Sequence, residues 1–217
     1  MSLLSTPTAR KTRSFADLKA FYTRNAHRAE EFEREERRIR AEANIRESGI
    51  PPEFRHADLK ATTGQLRDYA RGIAQGSTED LLICGQVGRG KTYAACAVLM
   101  ATAGVKRIRF VSSQQIAEWS LHRYDQEAVS MLKRCRGVEL LAIDDLGNED
   151  LKGIQAVKAV LDARRGERPT VVTTQFTAPK RAELFARRYG EETAKALESR
   201  FCLMRSMRFT GEDRRAS

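Results

Sequence analysis

The run Leu81-Leu-Ile-Cys-Gly85-Gln-Val-Gly88-Arg-Gly90-Lys91-Thr92 constrains this chain more than any other part of it. A short apolar stretch leads into G-x-x-x-x-G-K-[ST], and an alanine-rich segment follows from Lys91. Strand, glycine loop and helix in that order form a cradle for phosphate. The glycines let backbone N–H groups turn inward, and the helix adds its positive N-terminus. A lysine reaches the β and γ oxygens, and a hydroxyl at the next position can ligate Mg²⁺. Gly85, Gly88, Arg89, Gly90, Lys91 and Thr92 are therefore assigned to a bound nucleotide, with Thr92 also a ligand for Mg²⁺.

Around this loop the pattern alternates as in an α/β sheet. Strands are expected at Leu81–Cys84, Arg107–Val111, Val138–Ile143 and Thr170–Thr174. Helices are expected over Lys91–Ala103, about Gln114 to Lys133, about Gly153 to Arg165, and from Glu191. The third strand ends in Asp144-Asp145, at the carboxyl edge where ligands collect in such sheets. Asp144 is the candidate to hold Mg²⁺, directly or through water, and Asp145 to orient or deprotonate an attacking water. The fourth strand ends in Thr174-Gln175, either of which could position that water or sense the γ-phosphate. Arg200 is a candidate to reach a γ-phosphate in a neighbouring subunit, the ordinary alternative being a surface arginine.

Composition narrows the class. The chain has 217 residues, 39 Lys+Arg against 29 Asp+Glu, and a formal charge of +10. Residues 81–217 hold 24 of the basic and 16 of the acidic side chains, so the excess lies in the expected globular part and not in a lysine-rich tail. A basic surplus points weakly to a polyanionic partner such as nucleic acid. No apolar run is long enough to cross a bilayer, and the first residues carry no secretory apolar core. Cys84, Cys96, Cys135 and Cys202 are widely spaced, which disfavours a zinc site or disulfide framework and points to the cytoplasm.

Residues 1–13 read as disordered. Ser14-Phe-Ala-Asp17 carries a capping-box pattern and opens a helix with Phe15, Leu18, Phe21 and Tyr22 at helical spacing. The helix then becomes polar all round, with Glu30–Arg34, Glu33–Arg37 and Glu36–Arg40 at i,i+4. It reads either as a solvated linker or as an arm whose short apolar face docks on a partner protein. Pro51-Pro52 breaks it, which puts a domain boundary between residues 48 and 49.

Several segments in one order resemble the DnaC/IstB-like group of AAA+ ATPases, which comprises replicative-helicase loaders and IS21-type transposition helpers. They are Gly49-Ile-Pro-Pro-Glu-Phe-Arg55, Gly85–Thr92, the Asp-Asp-Leu-Gly ending at Gly147, Leu161-Asp-Ala-Arg164, Arg168-Pro-Thr-Val-Val-Thr-Thr174, Glu198-Ser-Arg200 and Phe209-Thr-Gly-Glu-Asp-Arg214. The resemblance implies an α/β P-loop AAA+ three-layer sandwich with a central parallel sheet. It implies no C-terminal helical lid, an ATPase domain over 49–217 and a helical extension over 1–48. Lys91 and Thr92 fall at Walker A, Asp144 and Asp145 at Walker B, Gln175 at sensor 1 and Arg200 at the arginine finger. Gln175 departs from the Asn usual at that position, and the N-terminus lacks the cysteine cluster of some loaders.

The resemblance further implies an ATP- and Mg²⁺-dependent loader that self-associates on single-stranded DNA. Phe15, Leu18, Phe21 and Tyr22 would grip a hexameric replicative helicase. In initiator relatives the segment after the second strand lines a DNA path; here it offers Arg123, Lys133, Arg134 and Arg136, preceded by Arg107 and Arg109. Trp119 and Tyr124 are expected in the core. The alternatives are a transposition helper acting on duplex DNA with a transposase, a nucleotide-gated adaptor that barely hydrolyses ATP, and, more distantly, a P-loop kinase.

Overall fold

A computed structural model describes residues 15–122 and 124–210, with the backbone alone for 15–22 and 24. The chain divides into two units, residues 1–38 and 39–217. In the first, helix α1 (Phe15–Glu47) begins, and its side chains from position 25 to 38 are exposed. Arg37 pairs with Glu33 and Arg38 with Glu35. Exposed pairs of this kind stabilise a helix only weakly, and every described side chain of this unit is exposed. The expected apolar face (Phe15, Leu18, Phe21, Tyr22) and residues 1–13 lie outside what is described.

The second unit holds five parallel strands: β1 (Leu81–Cys84), β2 (Ile108–Ser112), β3 (Leu140–Asp144), β4 (Thr170–Thr174) and β5 (Arg205–Arg208), in the order β2-β3-β4-β1-β5. The central strands β1 and β4 are buried throughout, whereas β5 at the edge buries only Met207 fully. Alternation along the strands builds two cores. Leu81, Ile83, Phe110, Ala142 and Val171 face α2 (Gly64–Ala74) and α3 (Lys91–Thr102). Leu82, Val111, Ile143 and Val172 face α4 (Ser113–Leu121), α5 (Gln126–Gly137), α6 (Leu151–Arg164), α7 (Ala178–Tyr189) and α8 (Glu191–Phe201). A sheet buried on both faces needs apolar side chains at successive positions, and these strands supply them. Among the described residues no helix follows β5, and none is long and apolar enough to cross a membrane.

Three expectations change. The single helix from Gln114 to Lys133 is two. Ser112 and Gln115 close a capping box on α4, His122 leaves helical geometry, and the Asp125 carboxylate caps α5 through the N–H groups of Glu127 and Ala128. Tyr124, expected in the core, is 94% exposed beside that break, while Trp119 packs against the core. The compact unit also starts before residue 49. Ala41 and Ile45, in the last turns of α1, pack on the first core, and the Asn44 amide donates to the carbonyls of Ala103 and Lys106.

One buried cation ties the second core together. Arg164, 1% exposed, donates to the carbonyls of Cys135, Val138 and Pro169 and to the Thr170 hydroxyl. Burial pushes its pKa down to about 10, so it remains charged at neutral pH. Arg164→Leu strands those acceptors in an apolar interior and is expected to cost about 3–5 kcal/mol. In a thermal melt that is a fall of roughly 6–20 °C for a chain of this size. A midpoint within about 2 °C of wild type would contradict the assignment.

Candidate nucleotide-binding site

The phosphate loop joins the C-terminal end of β1 to α3. Gly90 caps α3 in the left-handed region, at φ 80°, which glycine adopts without a Cβ clash. Gly85 is required for a different reason: a Cβ there would collide with the backbone carbonyl of Phe209, where the chain leaves β5. Lys91 is buried and its ammonium donates to the Gln86 carbonyl at 2.8 Å, inside the curl of the loop. Gly88, Gly90, Lys91 and Thr92 line a cavity of about 610 Å³ together with Asp144, Asp145, Thr173 and Gln175. That is ample room for a nucleotide.

At the edge of β3 the Thr92 hydroxyl lies 3.0 Å from one Asp144 oxygen and 3.1 Å from the other. Thr173 donates to the same carboxylate at 2.5 Å and accepts from the Asp145 N–H at 2.9 Å. Burial pushes the Asp144 pKa up, opposed by the two hydroxyl donors. A buried carboxylate held against a hydroxyl at a phosphate loop suits Mg²⁺, which commonly takes one or two protein oxygens and fills its shell with phosphate and water. These residues therefore fit the ion.

Asp145 is the one non-glycine residue with positive φ (56°) among those described. Its backbone is held on both sides, by Thr173 at the N–H and by the Ser113 hydroxyl at the carbonyl. The turn out of the strand direction carries its side chain to the cavity, at a cost of about 1–2 kcal/mol that the surrounding bonds offset. The Asn148 amide donates to Asp145 Oδ2 at 2.9 Å, and the Gln175 amide reaches the Asn148 oxygen at 3.4 Å. Gln175 thus meets the acidic pair through Asn148, a link not visible in the sequence pattern. Thr174, the other sensor candidate, is fully buried and donates to the Leu146 carbonyl.

Two aromatic side chains also line the cavity. A 3-10 turn at Pro52–Phe54 brings Phe54 to it, Tyr93 follows Thr92 on α3, and the Tyr93 hydroxyl accepts from the Asp58 N–H. Two rings lining a cavity at a phosphate loop offer a surface for a base to stack on. Neither was a candidate from spacing. Gly85 and Arg89 line a neighbouring cavity instead.

Arg200 lies far from this cavity. It joins Asp80, Arg165, Leu203 and Met204 around a small hollow at the N-terminal ends of β1, β4 and β5, the end of the sheet remote from the phosphate loop. Strand β1 alone has four residues, a separation of at least roughly 13 Å at 3.3 Å per residue. Its Nε pairs with Asp162 at 2.5 Å, while Nη1 is buried without an acceptor. Asp162 also pairs with Lys158. Glu198, in the same Glu-Ser-Arg segment, receives a two-pronged contact from Arg181 at 2.6 and 2.7 Å, which fastens α8 to α7.

Of the cations expected on DNA, Arg107, Arg109, Lys133 and Arg134 come together around a cavity of about 500 Å³, and Arg136 does not line it. The cavity sits at the start of β2, with Gly137 and Val138 before β3, at the far end of the sheet from the phosphate loop. Arg107 is paired with Glu139, and Arg109 donates to the Glu47 carbonyl. Arg123 lies outside the described residues.

In three dimensions the chain is similar to several solved structures. The structure of DnaI aligns with a TM-score of 0.63 at 22% identity, covering 77% of this chain and 95% of that one. The DnaC helicase loader gives 0.59 at 21%, covering 74% and 100%. The replication initiator DnaA bound to AMPPCP and single-stranded DNA gives 0.59 at 14%, covering 76% and 52%. At these identities the likeness establishes the fold, an α/β P-loop sandwich of the AAA+ type. No curated protein matches the chain in sequence. The family model of the IstB-like ATP binding protein matches residues 4–201, a span that takes in the phosphate loop, both aspartates, the end of β4 and Arg200. The chain belongs to this family of IstB-like ATP-binding proteins.

Proposed function

We propose that the protein is an ATPase whose site is completed between two copies, and that it acts as a helicase loader on single-stranded DNA. The observation that carries the shared site is the placement of Arg200 at the end of the sheet remote from its own phosphate loop. Any γ-phosphate it serves belongs to another molecule. In this reading Lys91 holds the β and γ oxygens, and Thr92 and Asp144 hold Mg²⁺, which neutralises phosphate charge when bound. Asp145 accepts the proton of the attacking water, Asn148 orients Asp145, and Gln175 reports the γ-phosphate through Asn148. Arg107, Arg109, Lys133 and Arg134 contribute phosphate contacts to DNA, with Arg136 nearby in sequence.

The loader role is supported by likeness to DnaI and DnaC over nearly the whole of those chains. The family match favours a second reading, a helper of a transposase on duplex DNA. Capture from a host lysate separates them, using the intact protein and a form lacking residues 1–38 as bait in ATP. Recovery of a hexameric helicase with the intact protein alone supports the loader and assigns the arm containing Phe15, Leu18, Phe21 and Tyr22 to that partner. Recovery of a transposase overturns it.

A further inference from the structure

The neighbouring cavity, of about 280 Å³, is separated from the nucleotide cavity by the phosphate loop itself. Arg89, Lys180 and Arg208 line it with Gln86, Gln175 and Thr177, and among the described residues no carboxylate does. Arg89 donates to the Gln86 side chain at 3.2 Å through Nη2, while its Nη1 is buried with no acceptor among the described residues. Lys180 and Arg208 are exposed and make no ion pair among the described residues. Helix α7 also begins here. Its cap residue Thr177 makes no side-chain bond to the first turn, and Pro179 occupies that turn. Three positive side chains and the positive end of a twelve-residue helix therefore converge on one hollow, with no counter-charge among the described residues.

Like charges gathered in a concavity repel one another and concentrate the field that attracts an anion. A buried guanidinium nitrogen without an acceptor costs free energy that a phosphate oxygen would recover. The hollow is too small for a whole nucleoside triphosphate, and Lys180 and Arg208 lie on its open rim, where a chain of phosphates can continue outward. We propose that this hollow binds a backbone phosphate of single-stranded nucleic acid, as a second phosphate site back to back with the one for ATP. Gln175 lines both cavities, so occupancy of one is read by a side chain of the other. The proposal rests on the single-strand reading above and adds to it a contact surface separate from the Arg107–Arg134 cavity.

The test uses the full chain with ATP and Mg²⁺, a fluorescein-labelled oligo(dT) and anisotropy titrations over a series of KCl concentrations. Lys180→Ala/Arg208→Ala is compared with wild type, thermal melts confirming that both are folded. Two lost phosphate contacts on a single strand should reduce the slope of log K against log salt by about 1.4. Affinity near 0.15 M salt should fall on the order of tenfold. Inorganic pyrophosphate should compete with the oligonucleotide on wild type and lose that effect on the double variant. An unchanged slope and isotherm in the double variant overturns the proposal. So does pyrophosphate competition that is the same in both proteins. Wild type that binds no oligonucleotide at any salt overturns the single-strand reading itself, a result distinct from either.

Discussion

Arg200→Ala is expected to cut ATP turnover by about 10³-fold at high protein concentration, the scale on which an arginine supplied to a γ-phosphate acts. Wild-type turnover per molecule should rise with concentration as copies meet, and the variant should stay flat. ATP binding by the variant should match wild type, since Arg200 lies at the other end of the sheet from Lys91 and Thr92. The Asp162 carboxylate holds the Arg200 Nε, so the side chain is preset and part of its charge is already compensated in the single copy. A rate measurement over a hundredfold range of concentration, with nucleotide affinity measured in parallel, checks all three points. Wild-type turnover independent of concentration, with Arg200→Ala unaffected, would falsify the shared site.

Asp145→Asn should leave ATP binding intact and slow hydrolysis by about 10²–10⁴-fold, the range that a positioned general base contributes. The amide keeps the volume and can still pair with Asn148, so the left-handed turn at position 145 should survive and the melting temperature should barely move. What is lost is the ability to take a proton. Asp144→Asn makes the contrast. Thr173 and Thr92 both donate to that carboxylate, so an amide there disturbs the contact with Mg²⁺ and should weaken nucleotide binding as well. If Asp145→Asn turned over at the wild-type rate, the base would have to lie elsewhere, with Gln175 and Asn148 left as water-positioning groups.

The parts of the site legible from sequence are those whose chemistry is local. A glycine loop between a strand and a helix, or two aspartates ending an apolar strand, states its geometry within a dozen residues. Gln175 was legible as a strand end, but its route to Asp145 depends on Asn148, a turn residue whose direction only the fold determines. Phe54 and Tyr93 lie almost forty positions apart in sequence, and no periodicity joins them. Thr173 carries no signal of its own in the sequence, because alternation alone does not tell which of two adjacent threonines faces the acidic edge; Thr174 faces the core. The helix break near position 122 is hard to read from sequence because apolar spacing runs through it, while the capping signal at Asp125 is a single residue. Arg89 fits the loop motif and yet faces away from the nucleotide cavity, since a motif fixes backbone course better than side-chain direction.

The far-apart placement of Arg200 and Lys91 also sets the symmetry of any assembly that unites them. A two-fold pair could complete both sites at once only if one face of a copy carried Arg200 and the phosphate loop together, and here they lie at opposite ends of the sheet. Union is therefore head to tail, and closure into a ring depends on the rotation from one copy to the next. An open row of n copies has n − 1 completed sites, with one unserved phosphate loop at one end and one unused arginine at the other. Such a row has a direction, and each added copy finishes one catalytic centre while exposing the next half-built one.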